Sequence, residues 1–329
     1  MNRFMDRAET MVAESLDGFV AAHADLLMFC PERKCVRRRV MTPGKVGLIS
    51  GGGAGHEPMH IGFVGTGMLD AACTGHIFSS PTPDQIVTAI TQADTGAGCL
   101  LIVKNYDGDV MNFEMAAEMA AADHNIAVLL VGDDISDPHA KPSDRRGVAG
   151  TVLVEKLLGA AAETGMPLSA LLSLGQVLAT RIFSIGVALR GASVPELRRP
   201  TFALSPGEME VGIGIHGEPG CSRQRFEGAE ATARMMCEHI LAAAGSSLSG
   251  QGLLFINGFG ATPPAELYLM HGHVRRMLGE AGISVERSLV GTFATSLDMA
   301  GLSATLALLT DAEQALWDAA VHTAALRWS

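Results

Sequence analysis

Val46–Ala72 reads VGLISGGGAGHEPMHIGFVGTGMLDAA, and this stretch decides the fold class. Val46-Gly47-Leu48-Ile49 is a short apolar strand. It runs into Gly51-Gly52-Gly53-Ala54-Gly55, four glycines in five residues. Such a backbone turns sharply and approaches a ligand with no Cβ in the way. The next residue is His56, whose side chain changes charge near neutral pH. A strand that ends in such a loop is where an α/β protein places its chemistry.

Two familiar motifs almost fit and are rejected. His56-Glu57-Pro58-Met59-His60 matches the zinc-protease string HExxH. That motif needs a helix, because i, i+4 spacing on a helix aims both imidazoles at one metal. Pro58 pushes Glu57 out of the helical region, so no zinc site is expected. Gly212-Ile213-Gly214-Ile215-His216-Gly217 matches GxGxxG. A dinucleotide fingerprint must open a helix. Here Glu218-Pro219-Gly220 follows, which reads as a turn. No GxxxxGK[ST] string occurs, so the chain carries no P-loop.

The bulk numbers bound the rest. A chain of 329 residues with 48% hydrophobic content builds a large core and suggests two domains. A net charge of −11 argues against a nucleic-acid surface. The basic cluster Arg33, Lys34, Arg37, Arg38, Arg39 reads as solvated charge protecting an edge strand. Six cysteines (Cys30, Cys35, Cys73, Cys99, Cys221, Cys237) show no CxxC and read as buried thiols in a reducing compartment. Asp6, Glu9 and Glu14 interrupt any signal-like apolar run. Cys99–Val103 and Ile126–Gly132 are too short to span a bilayer and fit buried strands. The expectation is a soluble, cytoplasmic protein.

Periodicity supplies the order of elements. A helix is expected over Met11–Leu27. Strands are expected at Val46–Ile49, Leu100–Val103 and Ala127–Val131, with helices at Pro83–Gln92 and Phe113–His124 between them. Thr151–Glu163 and Leu168–Leu189 read as a helical pair broken at Gly165-Met166-Pro167. Gly191–Phe202 has no clear period. Beyond it come a strand at Glu210–Ile215, a helix at Ala229–Ala244, a strand at Leu253–Ile256, a helix at Ala265–Glu280 and a strand at Ser284–Leu289. Alternation of strand and helix implies an α/β fold with two α/β domains, each a mixed or parallel sheet flanked by helices. The division falls at 1–190, with the glycine loop and the Asn105-Tyr106-Asp107-Gly108-Asp109 loop, and 191–329, smaller, with the loop around His216.

Three loops at strand ends carry polar residues that packing does not need: the one ending in His56, Val103–Asp109, and Ile213–Gly220. Asp109 alone would read as a helix N-cap, Lys104 as a solvated strand end, and His216 as either a turn histidine or a nucleophile. Together with their surroundings these loops look familiar. SGGGAGHEP, GHIFSSPTPDQI, VKNYDGDVMNF, RRGVAGTVLVEK, GIGIHGEPG, NGFGATPPAELY and TSLDMAGLSATL resemble, in order and over nearly the whole chain, the substrate-binding K subunit of dihydroxyacetone kinases.

The resemblance implies two α/β domains and a homodimer. It implies that His216 adds to the ketone carbon of a small ketose and forms a hemiaminal. His56 and Asp109 would handle protons on the hydroxyl that is phosphorylated. Gly53, Ala54, Gly55, His56, Lys104 and Asp109 would touch substrate. The phosphoryl group would come from a separate L-type nucleotide-binding subunit holding ADP or ATP with magnesium, and this chain would hold no cofactor or metal. Covalent capture would reject glycerol, which has no carbonyl to attack.

The chain departs from the family pattern at Asp107, usually threonine, and at His76, often acidic. Gly191–Glu196 lacks the usual cysteine-threonine pair. If Asp107 and Asp109 both face the pocket, each raises the other's pKa. His60, His76, His139, His271 and His273 read as structural or surface residues. Two alternatives stay open: a ligand-sensing co-regulator of the same fold, and a kinase subunit for a longer ketose such as erythrulose. Whether the partner is recharged by ATP or by a phosphotransferase-system protein is written in other chains.

Overall fold

Period-two alternation of apolar side chains builds the first sheet. In Cys99–Lys104, Cys99, Leu101 and Val103 face one layer of helices, while Leu100 and Ile102 face another. The computed structural model describes residues 3–195, 199–245 and 251–329. Glu196, in the stretch expected to join the domains, lies outside the described residues.

The strands of the first part are β1 Leu27–Phe29, β2 Val36–Arg38, β3 Gly47–Ala54, β4 Gly65–Thr66, β5 Ala71–Ile77, β6 Cys99–Lys104 and β7 Ile126–Val131. Then come β8 Ile182–Arg190, β9 Glu208–Val211, β10 Ser222–Arg225, β11 Gln251–Gly258, β12 Val285–Gly291, β13 Ala300–Leu309, β14 Val321–Thr323 and β15 Arg327–Trp328. The helices are α1 Ala8–Ala22, α2 Pro83–Ala93, α3 Asp107–Ala120, α4 Gly150–Glu163, α5 Leu168–Ala179, α6 Ala229–Ala244, α7 Pro264–Glu280 and α8 Asp311–Asp318.

Among the described residues the first sheet has the order β1-β2-β5-β3-β6-β7. Its four strands β5, β3, β6 and β7 are parallel, and β1 and β2 add antiparallel at one edge. The second sheet has the order β10-β9-β8-β13-β11-β12, parallel only between β11 and β12. The molecule is thus α/β with two mixed-sheet domains. A small third sheet, β15-β14-β4, ties the end of the chain back to the first part.

The helices set the depth of the site. Ile86, Ala89 and Ile90 from α2 and Phe113 from α3 cover one face of the first sheet. Val152, Leu153, Leu157 and Leu158 from α4 cover the other, in one core with Leu253 and Phe255 of the second sheet. Leu254 and Ile256 point the opposite way, to α6 and α7. Helix α4 is therefore packed between the two sheets, and every residue from Gly150 to Ala162 is buried. A helix apolar on all sides belongs in such a place. Its one buried carboxylate, Glu155, needs a polar partner there.

Several sequence expectations change. Leu168–Leu189 is not one helix: α5 ends at Ala179 and β8 begins at Ile182. The first seven residues of β8 are buried, which hides the two-fold pattern. β8 also lies in the second sheet, although residues up to 190 are expected in the first domain. β13, AGLSATLALL, has no strand signal of its own, since Ala and Leu favour helices; pairing with β8 and β11 on both sides makes it a strand. Cys30 and Cys35 are joined as a disulfide, because the turn at Pro31–Arg33 brings their Cα atoms to 5.1 Å. Cys221 is exposed, and only Cys73, Cys99 and Cys237 are buried thiols. No described helix is long and apolar enough to cross a membrane.

Arg38 also departs from its expected solvated state. It is buried, and its Nη1 lies 2.9 Å from Asp70 Oδ1 and 2.8 Å from Glu163. Asp70 further takes Lys45 Nζ at 2.5 Å and the Leu48 N–H at 2.8 Å. This buried cluster ties β2, β3 and β5 together. Asp70→Asn leaves the buried Lys45 without a carboxylate and Arg38 with Glu163 alone, and is expected to cost about 3–5 kcal/mol in denaturant unfolding. A loss below about 1 kcal/mol would show that the cluster is solvated in solution.

Candidate functional site

Strand β3 ends at Ala54, and Gly55 then adopts φ +97°, a left-handed conformation that glycine tolerates. The turn is closed locally by Glu57, whose carboxylate accepts the Gly55 N–H at 3.0 Å. His56, next in the chain, is fully buried. It is held from the second domain. Thr295, between β12 and β13, donates its N–H to the His56 carbonyl at 3.2 Å, and Leu297 donates to the Gly55 carbonyl at 2.8 Å.

The decisive contact is at the ring. His56 Nδ1 is 2.8 Å from the Thr295 carbonyl oxygen. A carbonyl only accepts, so Nδ1 carries the proton and Nε2 carries the lone pair. Nε2 is buried and has no hydrogen-bond partner within the protein. Burial, then the neighbouring His216 and Lys104, holds the His56 pKa well below the ordinary histidine value. The ring is a neutral base with its accepting nitrogen free.

His216 comes from the loop after β9. Its ring meets Tyr106 edge-on at 4.3 Å between centroids and His56 at 4.6 Å. Phe78 stacks on His56 at 5.3 Å and meets His216 at 5.8 Å. Burial, then Lys104 and Arg146, pushes the His216 pKa down to about 3. Both imidazoles are therefore neutral at physiological pH. The loop is anchored by Glu218, which accepts the His216 N–H at 2.9 Å and Arg146 Nη1 at 3.0 Å. Arg146 also donates to Asp134 at 2.9 Å, to Ser136 at 3.1 Å and to the Gly212 carbonyl at 2.8 Å. Its rigid fork joins the loop after β7 to the loop that carries His216.

The third element is the junction of β6 and α3. Lys104 is completely buried, with Nζ 3.1 Å from the Gly51 carbonyl, 3.1 Å from His60 Nε2 and 3.2 Å from Asp109 Oδ2. A Cβ on Gly52 would come within 2.3 Å of Nζ, so glycine there makes room for the ammonium. Asp109 is buried in the first turn of α3, whereas Asp107 is exposed. The two carboxylates do not share the pocket: Asp109 lines it and Asp107 does not.

A cavity of about 390 Å³ opens beside these groups, lined by Phe78, Ser80, Tyr106, Asp109, Arg146, His216 and Glu218. His56, His216 and Asp109 are brought together, as the three strand-end loops lead one to expect. Gly53 and Ala54 end β3 and Gly55 follows it, all three buried. Lys104 stands behind Asp109 with three acceptors around its ammonium. His76 is exposed. A second cavity of about 330 Å³, among Val187, Met209, Phe226 and Leu269, is apolar and remote from the paired imidazoles.

Residues 56–60 form turns, and His56 and His60 serve different neighbours. Among the described residues no group of three or more His, Cys, Asp or Glu could hold a metal ion. Sequence reasoning assigns no role to Arg146, Glu218, Tyr106, Phe78 or Thr295. Each lies inside or beside a motif quoted above, but its contact partner is distant in sequence. His60, expected to be structural or on the surface, touches Lys104.

Comparison with known proteins places the chain in context. A model of the Dak1 domain matches residues 17–325. The PTS-dependent dihydroxyacetone kinase 1, dihydroxyacetone-binding subunit DhaK, of Listeria innocua is 46% identical over 94% of this chain and 95% of its own. The solved dihydroxyacetone kinase of C. freundii superimposes with a TM-score of 0.90 at 37% identity, covering 98% of this chain and 60% of that one. The dihydroxyacetone kinase operon co-activator Dha-DhaQ gives 0.90 at 35% identity, over 95% and 97%.

Arg146→Lys keeps the charge but loses the fork. Amide hydrogen exchange across Gly212–Cys221 is expected to accelerate at least about tenfold, with the strands of the first sheet unchanged. Unchanged exchange in that loop would mean that Glu218 and the loop backbone hold His216 without Arg146.

Proposed function

The chain belongs to the Dak1-domain family, and from that membership and the geometry of its site we propose that it is the dihydroxyacetone-binding subunit of a split kinase. The observation that carries this reading is the pair of neutral imidazoles, 4.6 Å apart between centroids, of which His216 lines the cavity and His56 lies buried against it. One has a fixed tautomer and a free accepting nitrogen; the other is desolvated and unprotonated.

The unprotonated nitrogen of His216 attacks the ketone carbon, and the carbonyl π pair moves to oxygen. The other ring nitrogen releases its proton as the oxygen gains one, so the net step adds N–H across C=O. The product is a hemiaminal. Covalent attachment fixes the terminal hydroxyl before phosphoryl transfer. His56 Nε2 then takes the proton of that hydroxyl as its oxygen attacks phosphorus. Asp109, with Oδ2 turned to Lys104, offers its other oxygen to the same hydroxyl. Gly53, Ala54 and Gly55 would contact substrate through their backbone. Phosphoryl transfer also needs charge neutralisation on the phosphates. The sequence has no P-loop, so we assign ATP or ADP with magnesium to an L-type partner. The C. freundii kinase, of which this chain spans 60%, fits a design that joins both parts in one polypeptide.

The likeness to the co-activator supports a second reading, a sensor that captures the ketone and transfers nothing. The buried base and Asp109 favour the enzyme. A homodimer is the expected assembly, and a longer ketose such as erythrulose remains a candidate substrate.

Purified chain incubated with dihydroxyacetone and ATP is expected to show the adduct in intact mass spectra and no dihydroxyacetone phosphate. Turnover should appear only with the donor subunit. Robust turnover without it contradicts the split-kinase reading, and none with it favours the sensor. His216→Ala should abolish the adduct; His56→Asn should keep the adduct and lower turnover about 10²–10⁴-fold.

Because the His216 pKa is pushed down to about 3, its nucleophilic form persists above that pH. The extent of capture is therefore expected to be flat from pH 5 to 8. A rise in capture through pH 6–7 would indicate an imidazole titrating at its ordinary value.

Asp109→Asn should lose most turnover, whereas exposed Asp107→Thr should stay within about twofold. Equal losses in both variants would make Asp107 catalytic.

A further inference from the structure

Asp109 is aimed from behind by a row of buried polar groups that the proposed chemistry leaves unused. Glu155, on the helix between the sheets, places Oε1 2.6 Å from His60 Nδ1. Ser50 Oγ is 3.1 Å from the same nitrogen and donates its own proton to the Ile102 carbonyl at 2.7 Å. Nδ1 thus faces two acceptors, so it carries the ring proton. His60 Nε2 is then free to accept, and Lys104 Nζ lies 3.1 Å from it. Lys104 reaches Asp109 Oδ2 at 3.2 Å. The row Glu155–His60–Lys104–Asp109 spans α4, the turn after β3, the end of β6 and the start of α3. All four side chains are buried.

We infer that Glu155 and His60 are positioning residues, which fix the ammonium of Lys104 and through it the orientation of the Asp109 carboxylate. The inference rests on the proposed role of Asp109 and extends it to residues that touch no substrate. If His60 carried its proton on Nε2, an N–H would point at an ammonium, and the two donors would repel. Lys104 would then turn from Asp109. Glu155 prevents this by holding the proton on Nδ1. The charged and titratable neighbours agree. His60 is kept neutral by burial, then by Lys104 and His56. Burial raises Glu155 to about 8, against the Ser50 hydrogen bond and Lys104, so its carboxyl is neutral at pH 7. The Lys104 ammonium, which only donates, makes Nε2 the acceptor and Nδ1 the protonated nitrogen, and Glu155 receives that N–H on its carbonyl oxygen Oε1. Glu155 Oε2 has no hydrogen-bond partner in the protein, so a glutamine, which keeps one accepting oxygen, is a close replacement. A leucine is not.

The test separates tautomer, capture and turnover. Long-range ¹H–¹⁵N spectra of the full chain report which ring nitrogen of His60 carries hydrogen. Wild type and Glu155→Gln should both show the proton on Nδ1. Glu155→Leu should move it toward Nε2. With the donor subunit, Glu155→Leu should lose about ten- to a hundredfold in kcat at unchanged KM, with the dihydroxyacetone adduct on His216 still formed. Glu155→Gln should stay within about threefold. His60→Leu should match Glu155→Leu, and His60→Gln, which restores an acceptor for Lys104, should recover part of the loss. An Nε2-protonated His60 in wild type, or full kcat in Glu155→Leu, overturns the inference. So does parallel loss of capture and turnover, which would mark a merely structural role. If Glu155→Leu does not fold, the wild-type tautomer and the His60→Gln against His60→Leu comparison decide. If wild type forms no adduct, the proposed function fails, while the tautomer still reports on the relay.

Discussion

One hydrogen bond across the two domains organises the site. The Thr295 carbonyl accepts from His56 Nδ1, and this single contact selects the tautomer that leaves Nε2 as a base. It also fixes how the first sheet meets the second at the glycine loop. Thr295 and Leu297 donate backbone N–H groups to His56 and Gly55, so the loop is held by main-chain bonds. The glycines then have a mechanical reason to be there: the chain must turn at Gly55, and Gly52 must leave space for Lys104.

The second constraint is the burial of α4 between the sheets. A helix surrounded by apolar neighbours normally carries no charge. Here Glu155 is answered by His60 and, through it, by Lys104 and Asp109. The polar row therefore runs from the centre of the molecule to the cavity wall. Arg146 plays the matching part on the other wall, where its donors reach Asp134, Ser136, Gly212 and Glu218. Both walls are built from groups whose bonds are used within the protein. That leaves His56 Nε2, the Tyr106 hydroxyl, the His216 ring and one Asp109 oxygen for a ligand.

Much of this was legible in the chain. The glycine loop, the strand ahead of Lys104 and the helix Ala229–Ala244 follow from short-range pattern, and the helix matches its observed limits. The three strand-end loops stood out because polar residues there have no packing role, and the family resemblance singled out His56, Asp109 and His216 within them. What escaped notice depended on partners far along the chain. β13 reads as helix-forming and becomes a strand through pairing on both sides. Arg38 reads as solvated until Asp70 and Glu163 surround it. His60 has no signal of its own, because Glu155 is 95 residues away. Asp107 and Asp109 are alike in residue type, and only the family resemblance separated them; the start of α3 turns Asp107 outward and Asp109 in.

The central claim is that His216 is the carbon nucleophile in a neutral, desolvated ring. The direct measurement is NMR of the chain labelled with ¹⁵N-histidine and mixed with dihydroxyacetone carrying ¹³C at the ketone carbon. The account predicts a tetrahedral carbon resonance with one-bond coupling to an imidazole nitrogen, absent in His216→Ala. A bound ketone that keeps its trigonal carbon shift and shows no coupling to nitrogen would contradict it.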